Sequence, residues 1–380
     1  MPAIHTVADL RARARRRLPR PIFDFIDGGG GEEYSVRRNQ EAFAEVRLLP
    51  RVLEPCRTRD LSTTFLGTRY AAPFGVSPMG LGNLAWPGTD EALVRATAKA
   101  GIPYSLSTAG STTVERVAEL GGHCAWFQLY LPKDFELSKS LLRRADAAGV
   151  RTLLFTVDAS QPGRRLRDRR NGFGQPLLDT PRSVLSYALH PGWSLATLAA
   201  GTPTMANLAT GAGDFEGAQA AQQFMASIMH AKLDWESLDQ IRALWPHKLI
   251  VKGVLDPLDA RRIADAGVDA VMVSNHGGRQ LGSAASSLDV LPAIRAEVGP
   301  DYPLVLDSGV RSGEDVAKAL ILGANFVLLG RPWLYATAAL GATDGAACIT
   351  EMLTSELDNA MSQLGCANIA DLTRERLWKG

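Results

Sequence analysis

Residues 249–278 read LIVKGVLDPLDARRIADAGVDAVMVSNHGG. The apolar run Leu249–Lys252 gives way to Asp256-Pro257, then to a stretch of helical apolar spacing that closes on Gly267. A second apolar run, Ala270–Ser274, follows at once. Acidic residues in a first turn and a glycine past the last turn are helix start and stop signals. The stretch is therefore strand, helix, strand, and it belongs to a series. Apolar, β-rich runs also lie at Ala72–Ser77, Ile102–Ser107, Cys124–Leu131, Thr152–Val157, Pro303–Leu306 and Phe326–Leu329, making eight in all. Between most of them stand similar helical patterns, such as TDEALVRATAKAG, SLLRRADAAG and SGEDVAKALILG. Such repetition predicts a parallel sheet buried on both faces. Eight units within about 270 residues match a closed (β/α)8 TIM barrel, an α/β fold, better than an open doubly wound sheet. The glycine fingerprint of the open sheet, between a first strand and helix, is missing where it belongs.

Outward from the barrel, the 380 residues read as a single domain: an N-terminal helical segment at 1–70, the barrel at 71–340 and C-terminal helices at 341–380. The basic stretch RARARRRLPR (Arg11–Arg20) has no apolar core after it, so it is not a secretory signal. It reads as a solvated helix face ending near Pro19, with contact to an anionic surface as the alternative. Gly28–Gly31 reads as a helix stop. A long insertion follows strand 4, with a mobile or membrane-contacting loop at about 175–232. From Ser183 to Gly213 it contains no Asp, Glu, Lys or Arg, and Pro191, Gly192, Gly201 and Pro203 interrupt it. Such a loop is a lid, a subunit contact, or a patch dipping into a membrane interface with Trp193 and the leucines as anchors. No apolar run reaches the roughly 18 residues of a spanning helix.

Charge and cysteines narrow the function. A formal charge of +1 gives no electrostatic case for nucleic acid. Cys56, Cys124, Cys348 and Cys366 lack metal-ligand spacing, so no metal is expected. Free thiols suit a cytoplasmic protein, free or peripheral on the inner face of the cytoplasmic membrane.

In a barrel, reactive groups gather at the carboxyl ends of the strands. The first four runs are followed by Ser77-Pro78-Met79-Gly80, by Ser107-Thr108-Ala109, by Gln128 and Tyr130, and by Thr156, Asp158 and Arg164-Arg165. The last four are followed by Lys252-Gly253, by Ser274-Asn275-His276 and Arg279, by Asp307-Ser308-Gly309-Val310-Arg311, and by Gly330-Arg331. A lone histidine at a strand end is more often structural than catalytic, but convergence from nearly every strand is hard to explain as packing. Glycine-rich backbone and arginines after strands seven and eight stand where barrels hold phosphates. Two ordinary turns with surface arginines are the alternative. Lys252 ends an apolar strand and wants an anionic partner: either a flavin that gains charge on reduction, or Asp158 or Asp307. Gly277 and Gly278 keep the turn after His276 slim so that cofactor and substrate can approach, and Asn275 braces it.

The stretch SNHGGRQL (Ser274–Leu281) resembles the active-site signature of the FMN-dependent 2-hydroxy-acid oxidases and dehydrogenases. The resemblance covers nearly the whole chain, through LPRPIFDFIDGG, WFQLY, FTVD, GRR, IVKG, DSGV and LLGRP in order. LWPHKLIVKG and AGIPYSLSTA look closest to the (S)-mandelate dehydrogenase branch. The resemblance implies FMN, a small 2-hydroxy acid, a quinone or oxygen as electron acceptor, and a homo-oligomer, a tetramer. It implies His276 as base, acting either at carbon or at oxygen with hydride transfer, and Asp158 stabilising the imidazolium. Tyr130 would bond the substrate oxygen, while Arg279 and Arg165 would grip the carboxylate. Lys252 would stabilise reduced flavin. Pro78, Met79, Gly80, Ser107, Gln128, Thr156 and Ser274 would contact the flavin. Asp307, Gly309, Arg311, Gly330 and Arg331 would hold the ribityl phosphate.

Two positions depart from the family pattern. Where relatives read Y-D-Y and the second tyrosine touches the substrate carboxylate, this chain reads Phe23-Asp24-Phe25. Phe25 cannot donate that bond, worth about 1–3 kcal/mol to a charged group. Where glycolate oxidases carry a tryptophan beyond the second strand, Ala109 leaves room for a larger side chain. Both point away from glycolate and toward a mandelate-like or L-lactate-like (S)-2-hydroxy acid. The uncharged loop favours a quinone acceptor, with an oxygen-using, peroxide-forming oxidase as the alternative. An FMN barrel isomerase lacks an acidic cluster for a second phosphate or metal, and a non-catalytic flavin-binding protein is opposed by His276, Arg279, Tyr130 and Asp158 together.

Overall fold

The computed structural model of the chain describes residues 3–54, 56–173, 181–209 and 232–378 and closes the eight apolar runs into one barrel. Helix α1 (Val7–Arg17) starts at a Thr6–Asp9 capping box and stops before Pro19; α2 (Arg20–Asp27) ends at Gly28, and α3 (Tyr34–Glu45) follows. The N-terminal segment also holds an antiparallel hairpin that the sequence reading did not place, β1 (Thr63–Phe65) with β2 (Thr68–Tyr70). Its Phe65 and Tyr70 pack on Trp126 and Phe326 near the starts of two barrel strands, and Trp126 Nε1 donates to Tyr70 Oη at 3.0 Å. The hairpin thereby plugs the amino end of the barrel.

The barrel strands are β3 (Phe74–Met79), β4 (Tyr104–Ser107), β5 (Ala125–Leu129), β6 (Thr152–Thr156), β7 (Lys248–Val254), β8 (Ala270–Val273), β9 (Leu304–Leu306) and β10 (Phe326–Leu329). All pair in parallel, and Val327 on β10 against Phe74 on β3 closes the ring. Their apolar side chains are buried because helices cover the outside and other strands fill the inside. The outer helices before the insertion are α4 (Thr89–Lys99), α5 (Val114–Gly121) and α6 (Phe135–Ala147). Within the insertion lie α7 (Leu166–Arg170), α8 (Pro181–Ala188), α9 (Pro191–Ala200) and α10 (Ala206–Ala209). The remainder are α11 (Trp235–Leu244), α12 (Pro257–Asp265), α13 (Ser287–Val298), α14 (Gly313–Leu322), α15 (Arg331–Leu340) and α16 (Ala342–Leu364). Helix α1 packs along α15, which brings the N-terminal segment to the carboxyl face of the barrel.

The insertion corrects one expectation. Trp193 does not face outward as an anchor: it is buried, stacks on Tyr187 at 5.7 Å and donates from Nε1 to the Leu84 carbonyl at 2.9 Å. Among the described residues of α8, α9 and the link between them, the large apolar residues exposed are Val184, Leu185, Leu189, Leu195 and Leu198. The parts of the expected loop at 175–180 and 210–231 lie outside the described residues. Among the described residues, no helix is long and apolar enough to cross a membrane.

Candidate active site

A cavity of about 530 Å³ opens at the carboxyl face, within the range of cofactor-sized ligand sites. Tyr130, Lys252, His276, Arg279, Arg165 and Phe25 line it. So do Pro78, Met79, Gly80 and Ala109 on one side, and Asp307, Gly309, Arg311, Gly330 and Arg331 on another. Ser107, Gln128, Thr156 and Ser274 are not on that wall. They form a buried layer behind it: Ser107 Oγ donates to Gln128 Oε1 at 2.9 Å, and Gln128 Nε2 donates to Thr156 Oγ1 at 2.9 Å.

The turn after β8 sets up the chemistry. His276 sits at φ +58, followed by Gly277 at +66 and Gly278 at +72, a left-handed path that costs an L side chain about 1–2 kcal/mol. Asn275 holds this path by accepting from Gly278 N at 3.0 Å and exchanging side-chain amide bonds with Asn39, so it braces the turn. The glycines also serve packing of the turn itself. A Cβ on Gly278 would lie 2.7 Å from Val36 N, and one on Gly277 would lie 2.9 Å from Arg331 Nη1. Their slimness seats the turn against α3 and Arg331, and Gly277 also lines the cavity.

His276 is held at both ring nitrogens. Nδ1 lies 2.9 Å from Asp158 Oδ1, and Nε2 lies 3.2 Å from Tyr130 Oη. Burial pushes the imidazole below its usual range, and the pull of Asp158 does not fully offset it. Burial also opposes the Asp158 charge, but His276 and Lys252 outweigh burial and keep this carboxylate ionised. The pair at neutral pH is therefore a carboxylate accepting from Nδ1–H of a neutral histidine, with the Nε2 lone pair accepting from Tyr130 Oη on the cavity wall. Gly253, at φ +107, makes room: a Cβ there would stand 2.5 Å from Asp158 Cγ.

Around this pair the wall is cationic. Arg279 donates from Nη1 to the carbonyls of Phe25 at 2.7 Å and Gly28 at 3.0 Å. Burial, then Arg165 and Arg331, push its guanidinium well below the usual range, so an anion between these groups is strongly favoured. Arg165 is half-buried, its buried Nε lacks any partner, and its Nη1 lies 4.0 Å from Asp168 Oδ2. Lys252 lines the cavity and also has protein partners. Nζ donates to Ser274 Oγ at 2.8 Å and lies 3.4 Å from Asp307 Oδ2. Burial works against the ammonium, but Asp307 and Asp158 more than offset it.

The phosphate-like end is built of backbone. Ser308 and Gly309 take φ +76 and +100, turning successive N–H groups the same way, and α15 begins at Gly330. Arg311 is half-buried there, and desolvation depresses its pKa. Arg331 donates to the carbonyls of Ile26, Gly277 and Gly28 at 3.1, 2.8 and 2.8 Å, so it ties the N-terminal segment to the His276 turn as well as facing the cavity. FMN fits this donor set: an anion cradle at Gly309, Arg311 and Gly330, a cavity of the right size, and Lys252 at the end beside His276. Sequence reasoning missed Asp168, Phe173 and Met205 and gave no role to Ser77 and Ser308, which it placed at strand ends; all five line the cavity. Asp168 and Phe173 could have been sought in the helical stretch after GRR.

Comparison with known proteins agrees with this geometry. A family model described as FMN-dependent dehydrogenase matches residues 14–379. The chain is 40% identical to (S)-mandelate dehydrogenase of Pseudomonas putida over 374 residues, 98% of this chain and 94% of that one. It is also 40% identical to L-lactate dehydrogenase of Caulobacter vibrioides over 371 residues, 97% of this chain and 96% of that one. The crystal structure of the monotopic membrane protein (S)-mandelate dehydrogenase superposes with a TM-score of 0.94 at 38% identity, covering 100% of both chains.

Proposed function

The chain belongs to the family of FMN-dependent dehydrogenases, and from that premise we propose how its own residues act and where it works. It is an FMN-dependent oxidoreductase that converts a mandelate-like or lactate-like 2-hydroxy acid to the 2-oxo acid. When bound, FMN supplies the two-electron acceptor. Arg279 and Arg165 hold the substrate carboxylate, a planar fork against a planar anion. Tyr130 bonds the substrate oxygen. His276 Nε2 takes the substrate proton, and Asp158 stabilises the resulting imidazolium through Nδ1. The line Asp158–His276–Tyr130, laid beside two half-buried arginines, is the observation that carries this reading. Lys252 offsets negative charge that develops on reduction. The test is anaerobic bleaching of the FMN-loaded protein by a panel of 2-hydroxy acids. A folded, flavin-loaded protein that stays oxidised with every acid refutes it.

The place of work follows from α8 and α9. Helices α8 and α9, with Arg182 as their one charged residue, expose Val184, Leu185, Leu195 and Leu198, Leu189 is exposed between them, and Leu198 is 79% exposed. This surface supports peripheral attachment to the cytoplasmic membrane and a quinone as acceptor. Reoxidation of reduced flavin by a quinone analogue at no greater rate than by oxygen counts against it. Leu49, Val52, Leu53 and Trp378, exposed on neighbouring segments, support a homo-oligomer, a tetramer, which light scattering checks.

A further inference from the structure

Two rings from different elements meet on the cavity wall. Phe25 on α2 and Phe173 just beyond α7 stack with centroids 4.4 Å apart and planes 15° from parallel. Both line the cavity. Phe25 cannot offer a hydroxyl to a substrate carboxylate, yet it serves Arg279 twice. Its carbonyl accepts from Arg279 Nη1 at 2.7 Å, and its ring lies 5.1 Å beneath the guanidinium. The ring is thus committed to an apolar and cation–π role.

The stack is held rather than incidental. Asn171 Nδ2, two residues before Phe173, donates to Asp24 Oδ2 at 2.8 Å, one residue before Phe25. Arg167 on α7 bonds Asp27 on α2 at 2.9 Å and also reaches Glu33. Asp27 is fixed in turn by Arg11 and by Tyr335 Oη at 2.7 Å. These bonds pin α2 to α7, so the two rings present one preorganised face. Pro162, Met205 and Ala109 extend the apolar lining of the same cavity.

We propose that Phe173, stacked on Phe25, determines substrate specificity: the pair forms a flat apolar wall that favours a 2-hydroxy acid bearing a planar aryl group over one bearing a methyl group. The inference rests on the 2-hydroxy-acid reading above. An aryl ring laid on this wall removes apolar surface from water on both partners, and aromatic contact adds to that burial. A methyl group covers too little of the wall to gain from it.

The experiment compares (S)-mandelate with L-lactate in the FMN-loaded wild type, Phe173→Ala and Phe173→Leu. Turnover gives the ratio of kcat/KM, and flavin absorbance titrations with benzoylformate and pyruvate give binding without turnover. The wild type is expected to prefer mandelate by more than about tenfold. Phe173→Ala is expected to lower that ratio at least about tenfold, mainly through KM, and to weaken benzoylformate binding several times more than pyruvate binding. Phe173→Leu keeps much of the volume without the flat face, falls between, and decides the matter if Phe173→Ala does not fold. A wild type that oxidises both acids without preference overturns the aryl wall and leaves the 2-hydroxy-acid reading intact. Variants whose ratio and oxo-acid affinities stay within about threefold of wild type overturn it equally. Reduction by neither acid overturns both.

Discussion

Asp158→Asn isolates what the carboxylate does for His276. Nδ1 and Oδ1 are 2.9 Å apart, which puts the charge centres of an imidazolium and carboxylate about 4 Å apart, worth roughly 4 kcal/mol at an effective dielectric near 20. Asparagine keeps a neutral hydrogen bond of about 1 kcal/mol. The net loss to the protonated state is then about 2–3 kcal/mol, a ~30–150-fold slower proton-transfer step. The substitution also has a sign on the pH axis. The Asp158 charge raises the His276 pKa against burial, so removing it lets burial push that pKa lower still. The acid limb of flavin reduction should therefore move to lower pH while the plateau falls. Anaerobic stopped-flow reduction across a pH series measures both. A plateau within about threefold of wild type, or an acid limb displaced upward, would refute the assignment.

Further outcomes follow from other contacts. In the wild type, burial holds His276 below its ordinary value of 6.5, so kcat/KM should stay flat through neutral pH and fall only with a midpoint below 6.5, as a pH–rate profile of the free enzyme will show. Gly253→Ala forces a side chain onto a φ of +107 and against Asp158, so melting by circular dichroism should occur at lower temperature and flavin reduction should slow. Burial opposes the Asp27 charge, but Arg11, Tyr335 and Arg167 more than offset it and hold the carboxyl below its ordinary 3.8; the resulting stability is present above that value and is lost as pH falls below it. Asp27→Asn should cost about 2–4 kcal/mol near pH 7, allowing for the exposed Arg11, and only modestly less near pH 3, because the folded carboxyl keeps its charge well below 3.8, by denaturant titration at both. Leu195→Ser with Leu198→Ser should reduce co-sedimentation with phospholipid vesicles several-fold, and unchanged sedimentation would remove α9 from the attachment.

The barrel was legible because its signal is local. Each strand is a short apolar run bounded by helix caps, and every one of the eight runs read from the sequence holds a barrel strand. The β1–β2 hairpin escaped because its strands have three residues each and its turn is Leu66-Gly67, not the Asn-Gly that usually marks such turns. His276, Tyr130, Arg279 and Lys252 were recoverable because they stand at strand ends, where topology alone brings them together. Phe173 and Met205 reach the cavity from the irregular insertion, where no periodicity says which way a side chain turns. The packing of the glycines shows the same limit. Nothing near Gly277 or Gly278 in sequence reveals that Val36 and Arg331 press against them. Trp193 was misjudged because an aromatic in an uncharged stretch reads alike whether it packs inward or faces lipid.

The three bonds of Arg331 have a consequence for biogenesis. Its guanidinium joins carbonyls at Ile26, Gly28 and Gly277, so residues more than 300 positions apart close the wall together. During synthesis the N-terminal helices emerge long before their partner exists. Ile26 and Gly28, beside Phe25, can gain these bonds only after the eighth barrel strand has left the ribosome. A nascent chain arrested before that strand should neither retain FMN nor protect residues 20–31 from proteolysis, however much of the barrel it has already formed.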